Sequence, residues 1–185
     1  MPKLVVFLEE LSAKEFLDQF LPKCLPEEWE VKLIPHQGKS DLERSLSRKL
    51  KAWLEPDVTF LVLRDKDAGD CLEVKEKLRK ICEEAGKPNV IIRIACYELE
   101  AWFFGNLVKT GQALGLHNLW KYSSKAAYRI PDAIDKPSRH LDKITNGNYQ
   151  KMSGARAIGQ AFEVDDINSS HSFDVFMKSI HALAS

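Results

Sequence analysis

Carboxylates follow three apolar runs in this chain. Glu9 and Glu10 come directly after Leu4-Val5-Val6-Phe7-Leu8. Asp65 and Asp67 come just beyond Val58-Thr59-Phe60-Leu61-Val62-Leu63, and Glu98 and Glu100 just beyond Val90-Ile91-Ile92-Arg93-Ile94-Ala95. In Asp65-Lys66-Asp67 the i, i+2 spacing lets both carboxylates leave an extended segment on one side and share a hard cation. Such a pair is common in loops, but here Ala68-Gly69 follows and lets the backbone turn, while Asp70 suits a helix N-cap. Glu9 becomes a third carboxylate of the same site if the first and third strands are neighbours. Glu10 competes for that place, but its side chain leaves the opposite face of the pleat. An all-oxygen set of this kind favours Mg²⁺ or Mn²⁺, whereas zinc would call for His or Cys. His36, His117, His140, His171 and His181 are scattered and form no ligand pair.

The elements that must position these acids are strands of a buried sheet. Near-continuous apolar runs suit strands covered on both faces, and in parallel sheets ligands bind beyond the carboxyl ends of the strands. After the first run, Ser12 with Glu15 makes a capping-box pattern, and Phe16, Leu17, Phe20 and Leu21 form a helical stripe that Pro22 ends. A short strand is expected at 29–34 and a helix at 40–54, closed by Pro56. Another helix is expected at 70–85, where Gly86 sits as a C′ glycine and Pro88 prevents continuation. This alternation predicts an α/β fold: a four-stranded, largely parallel sheet with right-handed crossovers and flanking helices. Beyond Ala95 the strand signal ends. Helices are expected at 97–108, 153–162 and 171–184, the last capped by Ser170 or Ser172. The chain therefore divides into an α/β core, 1–108, and a helical C-terminal extension, 109–185, packed on it. The helix beginning near Tyr97 offers Glu100 first and Glu98 second to the edge of the site. Alternatively it leaves both in water, where the helix dipole favours acids in a first turn in any case.

Composition narrows the partners. At 185 residues, 44% of them apolar, the chain can build one good core with a smaller appended lobe. No apolar run approaches the roughly 20 residues of a membrane span, and the opening run lacks a signal-peptide pattern, so a cytoplasmic protein without a membrane partner is expected. Cys24, Cys71, Cys82 and Cys96 show no Cys-x-x-Cys spacing and read as free thiols. A net charge of zero argues against indiscriminate coating of nucleic acid. Yet between Lys121 and Arg156 eight Lys or Arg face three Asp, which is either a basic lobe that guides a polyanion beside an acidic centre or a solvated surface with scattered lysines.

Glu9, Leu63-Arg64-Asp65-Lys66-Asp67 and Glu98-Leu99-Glu100-Ala101-Trp102-Phe103 resemble the motifs of the Toprim superfamily. More narrowly, the chain resembles a prokaryotic Toprim-like family of unknown function often encoded beside an ATPase in defence loci. Lys136-Pro137-Ser138, Tyr149-Gln150-Lys151 and Ser170-His171-Ser172-Phe173 extend that resemblance nearly end to end. Toprim proteins include primases, topoisomerases and overcoming-lysogenization-type nucleases, which handle phosphodiesters around Mg²⁺. The resemblance implies a Toprim-like, Rossmann-like core with Glu9, Asp65 and Asp67 as metal ligands and Glu100 as an additional catalytic acid. It also gives weight to Lys136 and Lys151, with Arg139 between them, as contacts to DNA or RNA. An ATPase and a second copy of the chain are the protein partners it admits. Glu10 departs from the glycine common at that place in related nucleases.

Three functions compete. The first is a metal-dependent nuclease or other phosphodiester-processing enzyme. The second is a non-catalytic Toprim-like module that binds a partner. The third is a receiver-like phosphoacceptor, which would need Lys136-Pro137 to follow a fifth strand, although 129–135 does not read as a buried strand. A haloacid-dehalogenase-type phosphatase would place its Asp-x-Asp on the first strand rather than the third.

Overall fold

A computed structural model describes residues 1–184. Four parallel strands, β1 (Lys3–Leu8), β2 (Glu30–Pro35), β3 (Val58–Asp65) and β4 (Ile91–Ala95), form one sheet in the order β2-β1-β3-β4. They alternate with α1 (Leu11–Cys24), α2 (Lys39–Ala52) and α3 (Cys71–Glu84). After β4 the chain is helical: α4 (Glu100–Phe104), α5 (Leu107–Ala113), α6 (Pro137–Ile144), α7 (Lys151–Ala161) and α8 (His171–Ala184), with 3₁₀ turns at Leu119–Tyr122 and Pro131–Ala133. Among the described residues no helix is long and apolar enough to cross a membrane.

The central strands β1 and β3 are buried on both faces while β2 at the edge is partly exposed, and the alternation of side chains sorts the core in two. Leu4, Val6, Leu8, Leu61 and Leu63 pack with Phe16, Phe20, Trp102, Phe103, Ile158 and Phe176, under α1 and the C-terminal helices. Val5, Phe7, Phe60 and Val62 face the other way, onto Leu42, Leu46 and Leu50 of α2 and Leu78 and Cys82 of α3. Helix α7 crosses α1 so closely that Gly159 rests against the Phe16 carbonyl, where no larger residue has room.

Several local expectations are corrected. Helix α1 begins at Leu11 with Glu10 at its N-cap, and Ser12 is buried instead of capping. Pro22 lies inside α1, in its last turn, and the helix runs on to Cys24. The helix expected at 97–108 is broken at Gly105 and Asn106. There Gly105 meets Asn168, and the Asn106 side chain accepts from the Lys109 N–H at 3.1 Å to open α5. All four cysteines are free thiols.

Candidate acidic site at the carboxyl edge of the sheet

The register places the acids. β1 and β3 are neighbours paired through Leu8 and Leu63, so Glu9 leaves β1 level with Arg64, one step below Asp65. The Asp65 N–H donates to Glu9 Oε2 at 3.1 Å. Gly38, at φ 91° in the turn after β2, donates its N–H to the Glu9 carbonyl at 2.9 Å, a conformation that favours glycine. On the other side β3 pairs with β4 up to Asp65 and Ala95. The 65–70 turn is then strapped to the chain leaving β4, because Lys66 N–H donates to Ala95 O and Asp67 N–H to Tyr97 O, both at 2.8 Å. Asp67 itself adopts φ 54°, which a short polar side chain tolerates.

The sheet edge splits the acids into two groups. Glu9, 7% exposed, lies 3.7 Å from the Arg64 guanidinium, which also pairs with Glu43 of α2 at 2.8 Å. Burial, reinforced by the charge of Asp67, pushes the Glu9 carboxyl up to about 7. Asp67 at the rim pairs with Lys39 at 3.2 Å. On the α7 side lie Asp65, Glu100, Glu10 and Lys151. Asp65 is raised well above the usual carboxylate range by burial and by the charges of Glu9, Glu100 and Glu10. Glu100, 1% exposed, is raised by burial, while Lys151 and the Tyr149 hydroxyl, donating at 2.9 Å, hold it down. Partial burial pulls the Lys151 ammonium down, but its pair with Glu10 and the charges of Glu100 and Asp65 raise it overall.

Glu9, Asp65, Asp67 and Glu100 thus share one edge of the sheet. Glu10 does leave on the side opposite Glu9, yet that is the side Asp65 faces, so it belongs to the cluster through Lys151. Glu98 does not. Its Oε2 accepts from the Ser138 N–H at 2.8 Å and serves the start of α6. Lys151 opens α7 beside the acids, and with Ser138, Arg139, Asp142 and Tyr149 it lines an open depression. Lys136, exposed at φ 49°, is the N-cap of α6 and follows no fifth strand.

Residue types and spacing concealed the supports. Tyr149 holds Glu100. Asp132 accepts from Ser170 Oγ and Ser172 N at 2.6 Å each, and Ser172 Oγ in turn accepts from Trp102 Nε1 at 2.9 Å. Ser170 also caps α8, accepting from the Phe173 N–H at 3.2 Å. The three C-terminal motifs therefore all fasten onto the 98–102 segment.

The donor chemistry fits a hard divalent cation, since the ligands are carboxylates alone. Their positions fit it only in part. Among the described residues, no three His, Cys, Asp or Glu side chains gather around a common point. Asp67 in particular is engaged by Lys39.

An all-parallel, four-stranded sheet flanked by helices, with further helices at the C-terminal end, defines an α/β protein of Rossmann-like fold. A family model described as a domain of unknown function, DUF4276, matches residues 8–181, and the chain belongs to that family. Among solved structures, the C-terminal region of the Burkholderia pseudomallei OLD protein is similar, with a TM-score of 0.57 at 13% identity, covering 98% of each chain. At that identity the likeness concerns the fold. No curated protein matches the chain.

Proposed function

We propose that this protein is a metal-dependent phosphodiester-processing enzyme, a nuclease acting on DNA or RNA. The observation that carries the reading is the burial of Glu9, Asp65 and Glu100 at one sheet edge, where desolvation opposes the ionisation of each and the charges of Glu9 and Glu100 add to it at Asp65. Buried like charges are costly, and a hard cation removes that cost. Glu9 and Asp65 would hold Mg²⁺ or Mn²⁺, and Asp67 would join them once released from Lys39. A bound divalent ion supplies Lewis-acid stabilisation of the charge that develops on phosphate oxygens. In the alternative division of roles Asp65 and Asp67 alone hold the ion, and Glu9, pushed up to about 7, takes a proton from the attacking water. Tyr149 orients Glu100, while Lys151 and Arg139 offer positive charge to the phosphates, with Lys136 at the outer end of α6.

The resemblance extends the proposal to an ATPase partner and a role in prokaryotic defence, tested by co-purification of the pair. The chain alone is tested by cleavage of single- and double-stranded substrates with Mg²⁺ or Mn²⁺. Asp67→Asn should lower turnover at least a hundredfold without loss of folding, and unchanged turnover would refute the metal role. A partner-binding module without catalysis is the second reading, favoured by the Lys39–Asp67 pair. It predicts folding and partner binding that are indifferent to divalent ions.

A further inference from the structure

From Ala101 to Pro131 the chain runs 31 residues without an Asp or Glu, although its 27 acids equal its 27 bases overall. Lys121, Lys125 and Arg129 stand exposed in this stretch. The backbone gathers them. Lys125 N–H donates to Tyr122 O at 3.1 Å and Arg129 N–H to Lys125 O at 2.9 Å, so the segment after the 3₁₀ turn folds back on itself. The Lys125 and Lys121 ammonium groups lie 4.3 and 5.6 Å from the centre of the Tyr122 ring. At the edge of this cationic turn Trp120 is 57% exposed and Ile130 60%. An indole left largely in water next to Lys121 in the chain loses burial energy that a bound partner would restore.

The turn also lies in register with the acidic edge. Lys121 and Tyr122 line a groove with Ile144, Thr145 and Asn146 at the end of α6, while Ser138 and Arg139 at the start of that helix share a depression with Lys151 beside the acids. One α6 length, about 12 Å at 1.5 Å per residue, separates the two, a distance that a few nucleotides of strand cover.

We propose that this turn is a docking platform for single-stranded nucleic acid, with Trp120 stacking on an unpaired base and Lys121, Lys125 and Arg129 receiving the flanking phosphates. The occupant follows from the chemistry. The cations call for a polyanion, and the exposed indole calls for a flat π face, which a duplex hides in its stack and an acidic peptide lacks. The inference deepens the phosphodiester reading by naming its substrate class and rests on it for the path of the strand, but binding at the platform needs no metal.

The test is therefore run in EDTA with the full chain, by titrating a fluorescein-labelled dT12 oligonucleotide and following its anisotropy, with tryptophan emission as a second signal in wild type. Wild type should bind with quenching. Trp120→Ala should weaken binding about 5- to 100-fold, as loss of one stacked base does. Lys125→Ala should lower the salt slope by about one unit. Wild-type affinity in Trp120→Ala, or a 12-base-pair duplex or an Asp/Glu peptide binding as tightly as dT12, would overturn the proposal. Failure of Asp67→Asn to abolish cleavage would count against the metal site and leave this result untouched.

Discussion

The Asp65 main-chain N–H donates to the Glu9 carboxylate at 3.1 Å, tying the end of β1 to the end of β3. That one bond joins the two halves of the acidic edge. It partly offsets the burial that opposes Glu9 ionisation, and it fixes Glu9 where its charge reaches Asp65.

Stability should fall as Glu9 ionises. Its folded carboxyl is pushed up from 4.5 to about 7, so between those values the unfolded chain sheds its proton first, and stability declines as pH rises through that window. Glu9→Gln removes this cost. Denaturant melts should find the variant close to wild type at pH 4 and more stable at pH 8, by on the order of 2 kcal/mol.

Tyr149→Phe deletes the donor that holds Glu100 down. The Glu100 carboxyl should rise further, with a stability cost of about 1–2 kcal/mol at pH 8 that shrinks in acid, where Glu100 is protonated in both states. Urea titrations at two pH values check this, and an equal penalty at both would contradict it.

Gly154→Ala should act on the same pair through packing. A Cβ there would sit 2.7 and 2.8 Å from two Tyr149 ring carbons, and a buried ring cannot swing away as a flexible tip can. Despite the better helix propensity of alanine, Tm should drop, and nuclear magnetic resonance titration should find the Glu100 carboxyl displaced.

The three cations should separate by role. Lys136→Ala and Arg139→Ala should each lower the salt slope of nucleic-acid binding by about one unit, measured by filter binding. Lys151→Ala should in addition shift the acidic limb of the cleavage pH profile upward, because Lys151 opposes the raised carboxyls of Asp65 and Glu100. An unaltered slope in the triple variant would leave all three as ordinary surface.

The parallel four-stranded sheet and the neighbouring of its first and third strands were legible in the sequence because parallel strands in the middle of a sheet carry unbroken apolar runs and end where their acids begin. Asp70 was legible as a cap because its spacing to Leu72 and Glu73 is local. The break at Gly105 was not, since it depends on Asn168, a residue 63 positions away. The split of Glu98 from Glu100 was hidden for the same reason: α6 claims one and Tyr149 the other, and neither contact leaves a periodic trace.

The central claim is that the acidic edge holds a divalent cation, and anomalous diffraction from crystals soaked in Mn²⁺ near pH 8 tests it most directly. The account predicts a peak between the Glu9 and Asp65 carboxylates, with Asp67 turned away from Lys39 toward it, and loss of that peak in Asp65→Asn. A fully soaked crystal with no peak at these carboxylates, or with the same peak retained in Asp65→Asn, would contradict it.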